Sequence, residues 1–82
     1  SAARRQIEDI EWILNYRALD SLSPKLQHVI EVRKEHPEAS MNELCDLCYE
    51  RYGEVISKSG MKHRLAKLRE MADQLRAHTQ SE

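Results

Sequence analysis

The sequence contains no phenylalanine, a single tryptophan and only three tyrosines. Its interior must therefore be aliphatic, built from Leu, Ile, Val and Met. Glycine and proline occur twice each, and no useful window alternates apolar and polar with period two, which argues against strands. No apolar run approaches the roughly 20 residues of a membrane span, and no secretory leader is visible. The two cysteines, Cys45 and Cys48, are too few and too close for a disulfide framework and read as reduced thiols. A third of the residues are charged, yet the net charge is −1. The chain as a whole is no polycation, so any nucleic-acid surface has to come from local segregation of charge. Its 82 residues set the expectation of one small domain. The opening Ser1-Ala2-Ala3, without methionine, suggests a piece of a longer protein.

What is present reads as helix throughout. A first segment, about 2–18, places Ile7, Ile10, Ile13 and Leu14 on one stripe, ending at Arg17-Ala18, with Trp12 and Tyr16 on a neighbouring one. A second starts at Ser23, an N-cap followed by Pro24 at the first helical position. Leu26, Val29, Ile30 and Arg33 share one face, and His36-Pro37 ends the helix. A third opens on the capping box Ser40-Met41-Asn42-Glu43, with Leu44, Leu47 and Cys48 as its apolar stripe and Gly53 as its stop. The fourth begins at Ser57 or Ser59, either of which suits a cap, and continues to about Ala77. Met61, Leu65, Leu68, Ala72 and Leu75 form its core face, with a frayed tail from His78.

Charge by segment says more than the sum. Residues 37–56 hold five acids against one cation; residues 57–69 hold Lys58, Lys62, Arg64, Lys67 and Arg69 and no acid. Cations at the start of a helix oppose its dipole. Beside a phosphate chain the conflict disappears, because N–H groups and cations then face the same negative charge. A short capped helix, a tight connection and a helix with a basic front is the pattern of a helix-turn-helix, whose second helix enters the major groove of DNA. Gly60 brings no side chain to hold the backbone off a duplex, and Ser57 and Ser59 can cap the helix or donate to phosphate. Arg64 falls toward the core side, as a phosphate contact or as partner to an acid of the third helix. A solvated face is the plainer reading of such a run.

Other features point to chemistry less well. Cys45-x-x-Cys48 has metal or redox spacing, but a structural zinc needs two more ligands and nothing repeats the pair. Packing is the expected role of both thiols. His28, His36, His63 and His78 show no ligand spacing, and no catalytic triad, phosphate loop or carboxylate pair can be argued. No enzyme activity, metal or cofactor is expected.

Several blocks are familiar: Leu22-Ser23-Pro24-Lys25-Leu26, then 33–40 (RKEHPEAS), Glu43-Leu44, and 56–65 (ISKSGMKHRL), preceded by 5–10 (RQIEDI). Together they resemble the C-terminal domain of WhiA, a family of bacterial regulators tied to sporulation and cell division. The resemblance implies a helix-turn-helix similar to the promoter-reading C-terminal region of sigma factors. It also implies an upstream part resembling a LAGLIDADG homing endonuclease that has lost cleavage, and transcription control with a possible link to a sigma factor or a partner regulator. It carries DNA contact over to Ser57, Lys58, Ser59, Gly60, Lys62, His63 and Arg64. The connection 48–55 is longer than the usual family turn, so the third helix is extended by about a turn or the loop is open.

The expectation is therefore an all-α helix-turn-helix domain with an additional N-terminal helix. Residues 1–20 form that helix or a linker, 21–78 the DNA-binding unit and 79–82 a frayed tail. The partner is double-stranded promoter DNA, bound in the cytoplasm at the nucleoid by a monomeric domain without membrane contact. Lys58, Lys62, Lys67 and Arg69 supply phosphate attraction; Ser59 and His63, with Lys62, meet base edges. The rival is a protein-interaction module. Its apolar N-terminal helix or acidic third helix docks a sigma factor or polymerase component, with little intrinsic DNA binding.

Overall fold

A computed structural model describes residues 1–80. Among them the elements are α1 (Ala2–Tyr16), a 3-10 turn (Leu19–Ser21), α2 (Pro24–Glu35), α3 (Met41–Tyr52) and α4 (Lys58–Gln80), with no strand. The chain is all-α, a helix-turn-helix with an additional N-terminal helix.

Local chemistry sets the boundaries. Ser23 accepts from Leu26 N at 3.4 Å and Pro24 takes the first helical position of α2. The capping box of α3 closes in both directions: Ser40 Oγ accepts from Glu43 N at 3.2 Å, and Glu43 Oε1 accepts from Ser40 N at 2.9 Å. The bond from Ser40 N, with the Ser40 side chain adding to it, holds the Glu43 carboxyl below its ordinary range. Gly53 ends α3 with φ +66°, a left-handed conformation that glycine adopts without Cβ strain. Thus 48–52 belong to α3, and the connection to α4 is the stretch 53–57. Of the two arrangements expected for 48–55, the structure has helix over 48–52 and a short connection after it.

One core joins all four helices. Met61, Leu65, Leu68 and Ala72 of α4 pack inward with Val29, Ile30 and Val32 of α2, and with Leu44 and Cys48 of α3. Ile10 and Ile13 of α1 are fully buried in the same cluster. The N-terminal helix is thus no loose appendage: the centre of its stripe, Ile10 and Ile13, is buried in the core it shares with α4. Burial pushes the Cys48 thiol up to about 11, and no acid–base or metal chemistry is needed to explain its place. Cys45 and Cys48 are both free.

Two buried charges tie elements that periodicity alone does not connect. Arg33 is on the apolar face of α2, as its spacing indicates. Its guanidinium donates to the carbonyls of His36 at 3.1 Å, Pro37 at 3.3 Å and Ala39 at 2.6 Å, and to Gln6 Oε1 at 3.1 Å. It thereby secures the α2–α3 connection and fastens α1 to it. Asp9 of α1, whose side chain is 3% exposed, lies 2.9 Å from Arg76 and 3.6 Å from Arg69 of α4. Arg76 also lies over the Trp12 ring, itself stacked with Tyr16. The helix α4 continues through Thr79 to Gln80, beyond the end at Ala77 that the sequence suggested. The remainder of the expected tail, 81–82, lies outside the described residues.

Candidate nucleic-acid interface

The start of α4 is built around Ser57. Its Oγ accepts from Gly60 N at 3.0 Å and its carbonyl from Met61 N at 2.9 Å, so Ser57 is the cap. Ser59 stands one turn face further out, exposed, with its Oγ 3.3 Å from that of Ser57. A Cβ on Gly60 would come within 3.1 Å of Ser57 Oγ and 3.4 Å of Ile56 Cγ2. The glycine therefore makes room for the cap and for Ile56 beneath it. The absence of a side chain is thus used within the first turn of α4, a role the sequence did not suggest. Cys45 sits below the same turn, its Sγ 3.8 Å from the Ser57 carbonyl.

Outward from this cap, Lys58, Ser59, Lys62, His63, Ala66 and Lys67 are all exposed. Turning by about 100° per residue, Ser59, His63 and Ala66 lie near the middle of the solvent face, opposite Met61, Leu65 and Leu68. Among the described residues Lys58, Lys62 and Lys67 enter no ion pair. The structure thus brings together six of the nine residues named for DNA contact: Ser57, Lys58, Ser59, Lys62, His63 and Lys67.

The other cations of this stretch are turned to structural partners. Arg64 reaches Glu54 with both nitrogens, at 2.9 and 2.7 Å, and donates to the Lys25 carbonyl at 3.2 Å. Its side chain is 13% exposed. Of the two roles open to it, the fold fills that of ion-pair partner, and the acid stands in the turn rather than in the third helix. Those hydrogen bonds from Arg64 hold the Glu54 carboxyl at about 2, against the opposing effect of burial, with His28 Nδ1 at 2.9 Å adding to them. The His28 ring in turn stacks on Tyr52 with centroids 3.8 Å apart. Arg69 pairs with Asp73 at 3.3 Å and lies 3.6 Å from Asp9, so it faces α1.

Sequence reasoning passed over Ala66, which looks unremarkable between charged neighbours. Its signal was angular: it sits between Lys62 and His63 on the outward arc. A small apolar side chain there suits contact with a thymine methyl. No helix among the described residues is long and apolar enough to cross a membrane.

Comparison with known proteins agrees with this architecture. The family described as WhiA C-terminal HTH domain matches residues 1–72. The chain is 48% identical over 77 residues to the probable cell division protein WhiA of Limosilactobacillus reuteri (strain DSM 20016), which covers 94% of this chain and 24% of that protein. The protein of the same name from Enterococcus faecalis is 44% identical over 75 residues, covering 92% and 23%. That of Shouchella clausii is 42% identical over 78 residues, covering 95% and 23%. The chain thus spans about a quarter of the length of these curated relatives. No solved structure matches it. With a match that runs from the first residue into the rear half of α4, on a four-helix fold of the kind the match describes, the chain belongs to the WhiA family and corresponds to its C-terminal helix-turn-helix domain.

Proposed function

We propose that the chain binds double-stranded DNA by laying the front of α4 in the major groove, and that it does so as the sequence-reading part of a transcription regulator. The observation that carries this reading is the acid-free front of α4, where Lys58, Lys62 and Lys67 are exposed and unpaired among the described residues. Structural cations are normally given partners, as Arg64 and Arg69 are here. Three lysines left over around the exposed front of the second helix of a helix-turn-helix are suited to phosphate. Ser59, His63 and Lys62 then meet base edges, with Ala66 beside them.

The unit 21–78 supplies the binding element, and α1 packs along one flank of α4. No catalytic step belongs to this reading. The named relatives are probable cell division proteins, so the regulated promoters are proposed to include genes of cell division and, by family resemblance, sporulation. Binding takes place in the cytoplasm at the nucleoid, through a single copy of the domain. A sigma factor or a second regulator is the protein partner that fits such a role. The rival reading, in which the apolar stripe of α1 or the acidic α3 docks a protein, keeps only part of the α1 surface, since Ile10 and Ile13 are already buried while Ile7 and Leu14 are partly exposed.

The test is a titration of labelled promoter DNA with the wild type and a Lys58/Lys62 double alanine variant at two salt concentrations. Wild-type affinity should fall steeply with salt, by a log–log slope of about −0.9 for each phosphate contacted, and the variant should bind more weakly with a shallower slope. Equal binding by the two proteins overturns the assignment.

A further inference from the structure

The exposed face of α4 has two flanks, and each carries a cation from another helix. On one flank, a shallow groove between α1 and α4 is lined by Arg5, Gln6, Met41, Lys62, Ala66 and Arg69. Arg5 is exposed and has no ion-pair partner among the described residues. The acid on this groove, Asp9, is 3% exposed and already held by Arg76 and Arg69, so it presents no free carboxylate to an incoming anion. On the other flank, the bond from Arg64 to the Lys25 carbonyl at 3.2 Å fastens the first turn of α2 beside α4. Lys25 is exposed there and likewise unpaired among the described residues. Glu54, the acid next to that turn, is taken up by Arg64 and His28.

Lys62 and Arg64 are separated by about 200° around the helix axis, so α1 and α2 approach α4 from opposite sides. The outward arc of Ser59, His63 and Ala66 stands between them. A helix with its side chains is about 10–12 Å across, which fills a major groove about 12 Å wide. Whatever stands beside such a helix therefore meets the two phosphate chains that bound the groove.

We propose that Arg5 of α1 and Lys25 of α2 are phosphate-binding residues on opposite flanks of α4, one gripping each strand of the duplex that receives it. The assignment rests on the DNA-binding reading above and extends it to two helices outside the helix-turn-helix pair. These contacts fix the register and tilt of α4 and carry no sequence information of their own.

The experiment is a salt titration of one promoter duplex and one scrambled duplex with wild type, Arg5→Ala, Lys25→Ala, the double variant and the Lys58/Lys62 double alanine variant. Each single substitution should make the log–log slope shallower by about 0.9, which is about threefold less loss of affinity between ~50 and ~200 mM salt. The double variant should change by about tenfold, and both duplexes should weaken alike. Thermal unfolding should be unchanged, since neither side chain has a structural partner. If the Lys58/Lys62 variant loses binding while Arg5→Ala and Lys25→Ala keep the wild-type slope, the grip is overturned and the function of α4 stands. A slope change for one residue alone overturns the two-sided arrangement. A wild type with no salt-sensitive duplex binding overturns both readings.

Discussion

Within the single helix α4, two regions use positive charge in opposite ways. Where the helix is packed on its neighbours the cations are arginines, and each is paired with an acid: Arg64 with Glu54, Arg69 and Arg76 with Asp9 and Asp73. Along its exposed front they are lysines, and among the described residues none has an acid partner. The chemistry of the two side chains fits the division. A guanidinium is a planar fork that grips a carboxylate with two parallel bonds, whereas an ammonium is a strongly hydrated point charge on a flexible stem. Within α4, charge that builds the protein and charge left for a partner can thus be told apart by their neighbours.

If the contrast holds, substitutions on the two sides should separate binding from stability. Replacing Lys58, Lys62 and Lys67 together by alanine is expected to have the largest effect. Affinity for duplex DNA should drop by about a hundredfold at low salt, while unfolding free energy measured by urea titration should stay within about 0.5 kcal/mol of wild type. A large loss of stability would show that these lysines hold the fold after all.

Arg64→Ala should do the reverse. It strands the Glu54 carboxylate and should cost about 2 kcal/mol in the same titration. The pH dependence sharpens this. Glu54 is depressed from an ordinary value near 4.5 to about 2 in the folded protein. Its contribution is therefore fully present above the unfolded-state value and is lost as pH falls through the range from about 4.5 to about 2. Wild type should lose stability across that window, and Glu54→Gln should show a flatter acid limb. Identical acid limbs would remove Glu54 from the account.

The smallest expected effect lies at the boundary between the two regions. Ser57→Ala deletes the cap that orders the first turn of α4 and should cost about 1 kcal/mol of stability. It should weaken DNA binding by less than the triple lysine variant does. A binding loss as great as the lysines' would mean that the Ser57 hydroxyl contacts DNA rather than serving the helix.

How much of this was legible in the sequence depends on the range of the interaction. The caps at Ser23 and Ser40, the reciprocal bond of Glu43, the stop at Gly53 and the inward ridge of α4 are decided within a few residues, and each stands where its local pattern placed it. The basic front of α4 was visible for the same reason. What was not visible joins residues far apart in the chain. Asp9 reads as one acid among several on α1 until the fold sets it against Arg76. Glu54 reads as part of an acidic stretch until it receives Arg64. Gly60 shows why local reading can name a residue and miss its reason: what it leaves free is the space under Ser57, which depends on how Ile56 enters the core. The groove that sets Arg5 beside Lys62 exists only once α1 is docked.

The pinning of α4 by Asp9 has a mechanical consequence. From Arg76 to Lys58 the helix is one uninterrupted rod of about 27 Å at 1.5 Å per residue. A rotation of about 7° at the pinned end swings the other end by about 3.3 Å, close to the ~3.4 Å between successive nucleotides of a strand. A displacement of α1 would thus reach the tip enlarged in amplitude, opposed along the way by the packing of Met61, Leu65 and Leu68 in the shared core.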